Sequence, residues 1–161
     1  MYKKLNYLDF EIARQISLDL VNQIKFKEII PLNNAIGRVL SKDIICVKNL
    51  PAFNNSAMDG FAIKFSDAGK TLSINKVIFA GDKGKKVEPN LKKDECYKIM
   101  TGAKVPSDAD TIIPIENCFD VTQNSVRIPR EIKKGVNLRL KGEEQRQGNV
   151  ILKKGEKITS S

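Results

Sequence analysis

Leu50-Pro51-Ala52-Phe53-Asn54-Asn55-Ser56-Ala57-Met58-Asp59-Gly60-Phe61-Ala62 is the stretch on which the reading of this chain turns. Proline and asparagine favour a turn, and Gly60 lets the backbone bend tightly beside the Asp59 carboxylate before an apolar strand begins. The loop therefore delivers Ser56 and Asp59 to the mouth of a strand. A carboxylate so placed can hold a hydrated magnesium ion, which favours one or two carboxylates together with waters and substrate oxygens. An ordinary Asp-Gly turn with an Asx hydrogen bond explains the same residues, and for the motif in isolation it is the simpler explanation.

On the N-terminal side of this loop, Leu8, Ile12, Ile16, Leu20 and Ile24 recur every fourth residue, with Ala13 and Val21 beside them. That spacing predicts one long amphipathic helix facing a core, capped by Asn6 or Asp9. After Lys27, short apolar runs broken by turn residues predict strands at 29–32, 38–40, 43–47, 60–64 and 74–80. Further strands are expected at 96–100, 111–116, 125–128 and 149–152, and the span 51–130 is nearly helix-free. The expected fold class is mainly β with one long N-terminal helix (α+β). Two lobes are expected: a discontinuous flanking lobe from residues 1–45 plus 137–161, which carries the helix, and an inserted β lobe from residues 46–136.

Composition narrows the function classes. The 161 residues are 41% hydrophobic, enough to bury a core. No stretch approaches the ~20 apolar residues of a membrane span, and the N-terminus lacks a signal-peptide run, so a cytoplasmic address is expected. Cys46, Cys96 and Cys118 are odd in number and far apart, which argues for buried thiols against a disulfide framework or zinc knuckle. With no histidine, Ser-His-Asp, Cys-His and His-ligated metal schemes are excluded within these residues. The formal charge of +9 suits anionic substrates or nucleic acid. The lysines fall in short groups with little aromatic interleaving, which reads as a solvated surface with a generic preference for anions and not as a nucleic-acid platform.

Three more segments carry chemistry-bearing residues. Ile99-Met100-Thr101-Gly102-Ala103-Lys104-Val105-Pro106 ends a strand in Thr-Gly, where a hydroxyl and exposed amides can bind an oxyanion or simply mark a glycine-assisted strand exit. Asp108 and Asp110 just beyond read as turn carboxylates. Gly135-Val136-Asn137-Leu138-Arg139-Leu140-Lys141-Gly142-Glu143-Glu144 sets an arginine and two carboxylates around a glycine turn. Arg139 there can clamp a phosphate and Glu144 can approach a metal, with a surface salt-bridge cluster as the equal alternative. Gly81-Asp82-Lys83-Gly84-Lys85-Lys86 lacks the spacing of a phosphate loop and reads as a hairpin loop. The terminal Thr159-Ser160-Ser161 has the hydroxyls that cap a helix, which suggests a chain cut at a domain junction, a frayed tail being the alternative.

In order and spacing, the 51–62 loop, Met100-Thr101-Gly102-Ala103 with Val105-Pro106, Arg139 with Gly142-Glu143, and Gly148-Asn149-Val150-Ile151-Leu152-Lys153-Lys154-Gly155 resemble one family. That family is the molybdopterin molybdotransferases, MoeA and the gephyrin E domain. The resemblance covers nearly the whole chain, with the Ser-Ala-Met-Asp-Gly loop its most specific part. It implies a fold like the MoeA N-terminal region, with coiled and bifurcated β-sheets in two lobes, and a chain that stops before the C-terminal catalytic lobes. It also implies the last step of molybdenum cofactor synthesis: a magnesium-dependent transferase that inserts molybdate into adenylylated molybdopterin and releases AMP.

By motif matching, the resemblance implies that Asp59 and Thr101 are catalytic, that Ser56, Arg139 and Glu144 bind substrate, and that Asp59 and Glu144 hold Mg2+. Glu144 stands where the family usually has aspartate in a Gly-Glu-Asp run, one methylene longer. The family's Gly-Asp-Glu stretch, Ser-Gly-Gly loop and Leu-Pro-Gly-Asn-Pro motif do not occur here, so these residues alone are expected to be inactive. The family pattern further implies a homodimer whose cleft joins the β lobe of one subunit to catalytic lobes of the other. Other molybdenum cofactor biosynthesis proteins are candidate partners; nucleic acid and membrane are not. The alternative is a non-catalytic dimerisation or scaffold module, as in the gephyrin relatives.

Overall fold

The computed structural model describes residues 7–21, 26–81 and 90–160. The chain divides into two units, residues 1–42 with 154–161, and residues 43–153.

In the first unit, α1 spans Phe10–Leu20, and the Asp9 side chain caps it by accepting a 2.9 Å hydrogen bond from the Glu11 amide. The helix is 11 residues, shorter than the long helix that the apolar repeat predicts. Asn6 and Ile24, the outer ends of that expectation, lie outside the described residues. None of its residues is buried, and Phe10 and Leu20 are 75% and 74% exposed. The predicted core-facing stripe is therefore an uncovered one: periodicity reports that a helix is amphipathic, not that a core lies against it. Residues 29–32, expected as a strand, lead instead into a 3-10 turn at Leu32–Asn34. Val39 bridges antiparallel to Lys157, supported by Leu40 N–H to Glu156 C=O at 2.9 Å and Ile158 N–H to Arg38 C=O at 2.8 Å.

The second unit is built on β-strands. β1 (Ile44–Ile45) pairs with β9 (Val150–Leu152), and β2 (Asn55–Ser56) pairs with β8 (Leu138–Arg139). The remaining strands are β3 (Gly60–Ile63), β4 (Thr71–Ile78), β5 (Glu95–Ile99), β6 (Thr111–Pro114) and β7 (Ser125–Arg127), in one sheet of order β6-β3-β5-β4-β7. Only β4 and β5 run parallel in it. These strands fall within a few residues of the predicted ones, whereas β2 and β8, two residues each, are too short for alternation to reveal.

Both faces of the sheet are covered, because apolar residues occupy successive positions along β3 and β6. Ala62, Ile78, Tyr97, Ile99 and Ile112 pack with Ala103, Val105 and Ala109 on one side. Phe61, Ile63, Leu72, Cys96, Ile113, Val126 and Ile128 pack on the other. β4 contributes to both because of a bulge. Ile74 stands opposite Cys96 and Lys76 opposite Tyr97, leaving Asn75 as an extra residue. Leu72 and Ile74 therefore face one cluster and Ile78 the other. The close pairing of β3 with β6 also explains Gly60, where a Cβ would lie 2.0 Å from the Ile113 carbonyl oxygen. Among the described residues no helix is long and apolar enough to cross a membrane.

Candidate functional site

The loop ahead of β3 is the hub of the second unit. Asn54 C=O accepts from the Val105 amide (3.0 Å), Ala57 N–H donates to Asn137 C=O (2.9 Å), and Asp59 C=O accepts from the Ile115 amide (3.1 Å). Three segments distant in sequence are thereby drawn to one loop. Asparagine side chains, common as turn formers, complete the anchoring here. Asn54 Oδ1 accepts from the Lys141 amide at 2.8 Å, Asn49 Oδ1 from the Gln147 amide at 3.1 Å, and Asn137 Nδ2 donates to Ile112 C=O at 3.1 Å. Of these three, only Asn54 sits in the Pro-led loop that marks it; Asn49 and Asn137 carry no comparable signal in the sequence.

Asp59 and Thr101, 42 residues apart, meet directly. Asp59 Oδ1 accepts both the Thr101 amide and the Thr101 hydroxyl, each at 2.6 Å. These two bonds, the hydroxyl's first and the amide's second, hold the exposed Asp59 carboxyl below the usual aspartate range, because both favour the charged form. Oδ2 has no hydrogen-bond partner among the described residues. The amide and hydroxyl proposed from sequence for an oxyanion are thus given to Asp59 in this state.

Ser56 occupies a different environment from the one expected of a substrate contact. It is 1% exposed, and its hydroxyl donates to Met58 C=O at 2.6 Å and accepts from the Met58 amide at 3.3 Å. A side chain so enclosed is not on the surface that a substrate would touch.

Arg139 lies opposite Asn55 in the β2–β8 pair, which brings it to the same loop as Asp59. Its Nε donates to Glu143 Oε1 at 3.3 Å and its Nη2 to Glu144 Oε1. Glu143 also accepts from the Leu140 amide at 2.7 Å, closing the turn over Gly142. The arginine, proposed as a phosphate clamp, is held in a carboxylate cluster, and no contact joins it or Glu144 to Asp59 among the described residues. Asp108 and Asp110, expected as turn carboxylates, tie distant segments together instead: Asp108 Oδ2 accepts from the Leu91 amide at 2.8 Å and the Tyr97 hydroxyl at 3.1 Å, and Asp110 Oδ1 from the Phe65 amide at 2.7 Å. The hairpin loop expected at 81–86 falls, after Gly81, outside the described residues.

The thiols fit no reactive role. Burial pushes Cys96 up to about 12 and Cys118 up to about 11, so both stay protonated at neutral pH. Among the described residues no three acidic, cysteine or histidine side chains gather as a metal cage. Magnesium does not need one: it keeps most of its waters and binds one or two carboxylates with substrate oxygens. Asp59, ionised, exposed and with one oxygen uncommitted, fits such an ion. Glu144 offers a carboxylate already shared with Arg139.

Fold and site together define a class: a mainly β chain that presents, from a loop tied into three neighbouring segments, one exposed carboxylate steadied by a single threonine. Residues 8–161 match the family model for the MoeA N-terminal region (domain I and II), and the chain belongs to that family. The molybdopterin molybdenumtransferase of Staphylococcus epidermidis is 33% identical over 135 residues, covering 81% of this chain and 32% of that protein. That of Haemophilus influenzae is 34% identical over 134 residues, covering 82% and 32%. Among solved structures, a molybdopterin biosynthesis MoeA protein from Pyrococcus horikoshii OT3 superposes with a TM-score of 0.83 at 27% identity, covering 96% of this chain and 42% of that one. The chain spans about a third of the length of these curated relatives, whose share covered is 32%.

Proposed function

We propose that this chain supplies one wall of the active site of a cytoplasmic, homodimeric molybdopterin molybdenumtransferase, which inserts molybdate into adenylylated molybdopterin and releases AMP. The observation that carries this reading is the double bond of Thr101 to Asp59 on the loop whose sequence is the most specific part of the family resemblance. Asp59, kept ionised, is the ligand for Mg2+, and Thr101 fixes the direction in which its uncommitted oxygen points. When bound, the ion would offset negative charge on the phosphate and molybdate oxygens of the substrates.

Arg139 binds the anionic substrate by exchanging partners. Its pairs with Glu143 and Glu144 are about half exposed, and pairs of that kind contribute only about 0.2–1 kcal/mol. A bidentate phosphate contact is charge-assisted and stronger, so the arginine can leave Glu143 and Glu144 for it. Glu144 then serves either as a second Mg2+ contact or as the arginine's resting partner. The surplus of positive charge, +9, draws such substrates toward the surface.

The test is AMP release from adenylylated molybdopterin with molybdate and magnesium, run on these 161 residues and on the longest natural chain that contains them. Release by the longer chain alone is expected, and Asp59→Asn in that chain should abolish molybdate insertion while leaving the fold intact, since the change removes charge and little else. Unchanged turnover in Asp59→Asn would sink the assignment of Asp59. A second reading, a dimerisation or scaffold module, is favoured by the uncovered apolar face of α1. AMP release by neither chain would promote it.

A further inference from the structure

We infer that Ser56 is a positioning residue: its main chain fastens the strand exit at Gly102 and Ala103, and its buried hydroxyl fixes the Met58–Asp59 turn against that exit without touching substrate. This deepens the reading above and rests on Asp59 being the functional carboxylate.

The evidence lies in how many sides of the site this one residue fastens. Its main chain fastens the two residues that follow Thr101: the Gly102 amide donates to Ser56 C=O at 2.8 Å, and the Ser56 amide donates to Ala103 C=O at 3.0 Å. Its side chain reaches forward along the other partner's loop, donating to Met58 C=O at 2.6 Å and accepting from the Met58 amide at 3.3 Å. Met58 immediately precedes Asp59, so the three-residue turn closed by the hydroxyl sets where the Asp59 carboxylate begins. In β2, Ser56 also stands opposite Leu138, next to the Asn55–Arg139 pair. One residue, 1% exposed, thus stands between the segments bearing Asp59, Thr101 and Arg139.

Two bonds of 2.6 Å onto one oxygen tolerate little displacement, since hydrogen bonds weaken steeply away from good distance and angle. A site that depends on such contacts needs a supporting residue whose own geometry is locked. An alanine at 56 fills nearly the same space but cannot close the turn, and it leaves the Met58 carbonyl short of a partner.

The experiment is done on this 161-residue chain by NMR, without any assay of turnover. Thr101 amide exchange is followed in the native chain, in Ser56→Ala, and in Leu138→Ala, which loosens the β2–β8 pair but keeps the hydroxyl. In Ser56→Ala the Thr101 amide should exchange about ten-fold faster, while the Ile99 and Ile112 amides keep their protection. Leu138→Ala should leave Thr101 exchange near native. If Ser56→Ala does not fold, Ser56→Cys, slightly larger and a weaker donor and acceptor, should show a smaller increase in Thr101 exchange. Native-like Thr101 exchange in a folded Ser56 variant, or equal changes in Leu138→Ala, would overturn the inference. Failure of AMP release in the assay above would instead count against the proposed reaction and leave this result standing.

Discussion

Asp59 ties the site's chemistry to the acid limb of stability. Its carboxyl titrates below the usual value in the folded chain because the Thr101 hydroxyl and amide both bind the charged form. A depressed folded-state value means that the ionised group favours the fold at pH above the unfolded-state value, and that this contribution fades as pH falls through the folded-state value. The melting-temperature difference between the native chain and Asp59→Asn should therefore be constant above about pH 5 and shrink below about pH 4. Calorimetry over pH 2–7 checks it; a difference that grows on acidification would mean that Thr101 does not bind the ionised form. Asp59 and Thr101 were both marked in the sequence, by a loop motif and a strand exit, but their contact spans 42 residues and only the folded sheet brings it about. Ser56 is buried, which its sequence does not reveal: a hydroxyl in a loop reads as available until burial is known.

At the scale of elements, the apolar stripe of α1 and the strands of the sheet look alike as patterns and differ in what covers them. Leu20 is exposed, so Leu20→Ala should change the unfolding free energy by no more than about 0.5 kcal/mol. The core expectation drawn from the repeat would have been roughly 2–5 kcal/mol. Ile99, fully buried between β3 and β4, should lose about 2–5 kcal/mol on replacement by alanine. Urea denaturation of both variants distinguishes a covered face from an uncovered one. Strands were legible where four or more residues carry the apolar signal, as in β3, β4, β5 and β6. β2 and β8 exist because the loop and the Asn137 turn are held together by hydrogen bonds from elsewhere, which leaves no local periodicity to find.

Over the whole molecule, apolar burial is concentrated. Both hydrophobic clusters lie within residues 43–153, whereas among the described residues of the other unit only Ala35 is buried. A chain of residues 43–153 should accordingly unfold cooperatively within about 5 °C of the 161-residue chain. A non-cooperative transition would show that the first unit contributes to that core. The family was legible in the sequence because its signature loops are runs of turn residues with demanding backbone roles. The exposure of α1 was not, since amphipathicity names a face and not its neighbour.

Asn75 gives β4 one residue of slack. Ser73, Ile74, Lys76, Val77 and Ile78 each stand opposite a residue of β5, so removing Ile74, Lys76 or Val77 moves a different side chain into the vacated slot, while removing Asn75 leaves Ile74 opposite Cys96 and Lys76 opposite Tyr97. The loss would be the hydrogen bond from Asn75 Nδ2 to Glu95 Oε2 at 2.8 Å. At the level of the gene, codon 75 is thus the point in β4 where an in-frame deletion keeps the residues of the neighbouring codons, Ile74 and Lys76, on the sides of the sheet they already face.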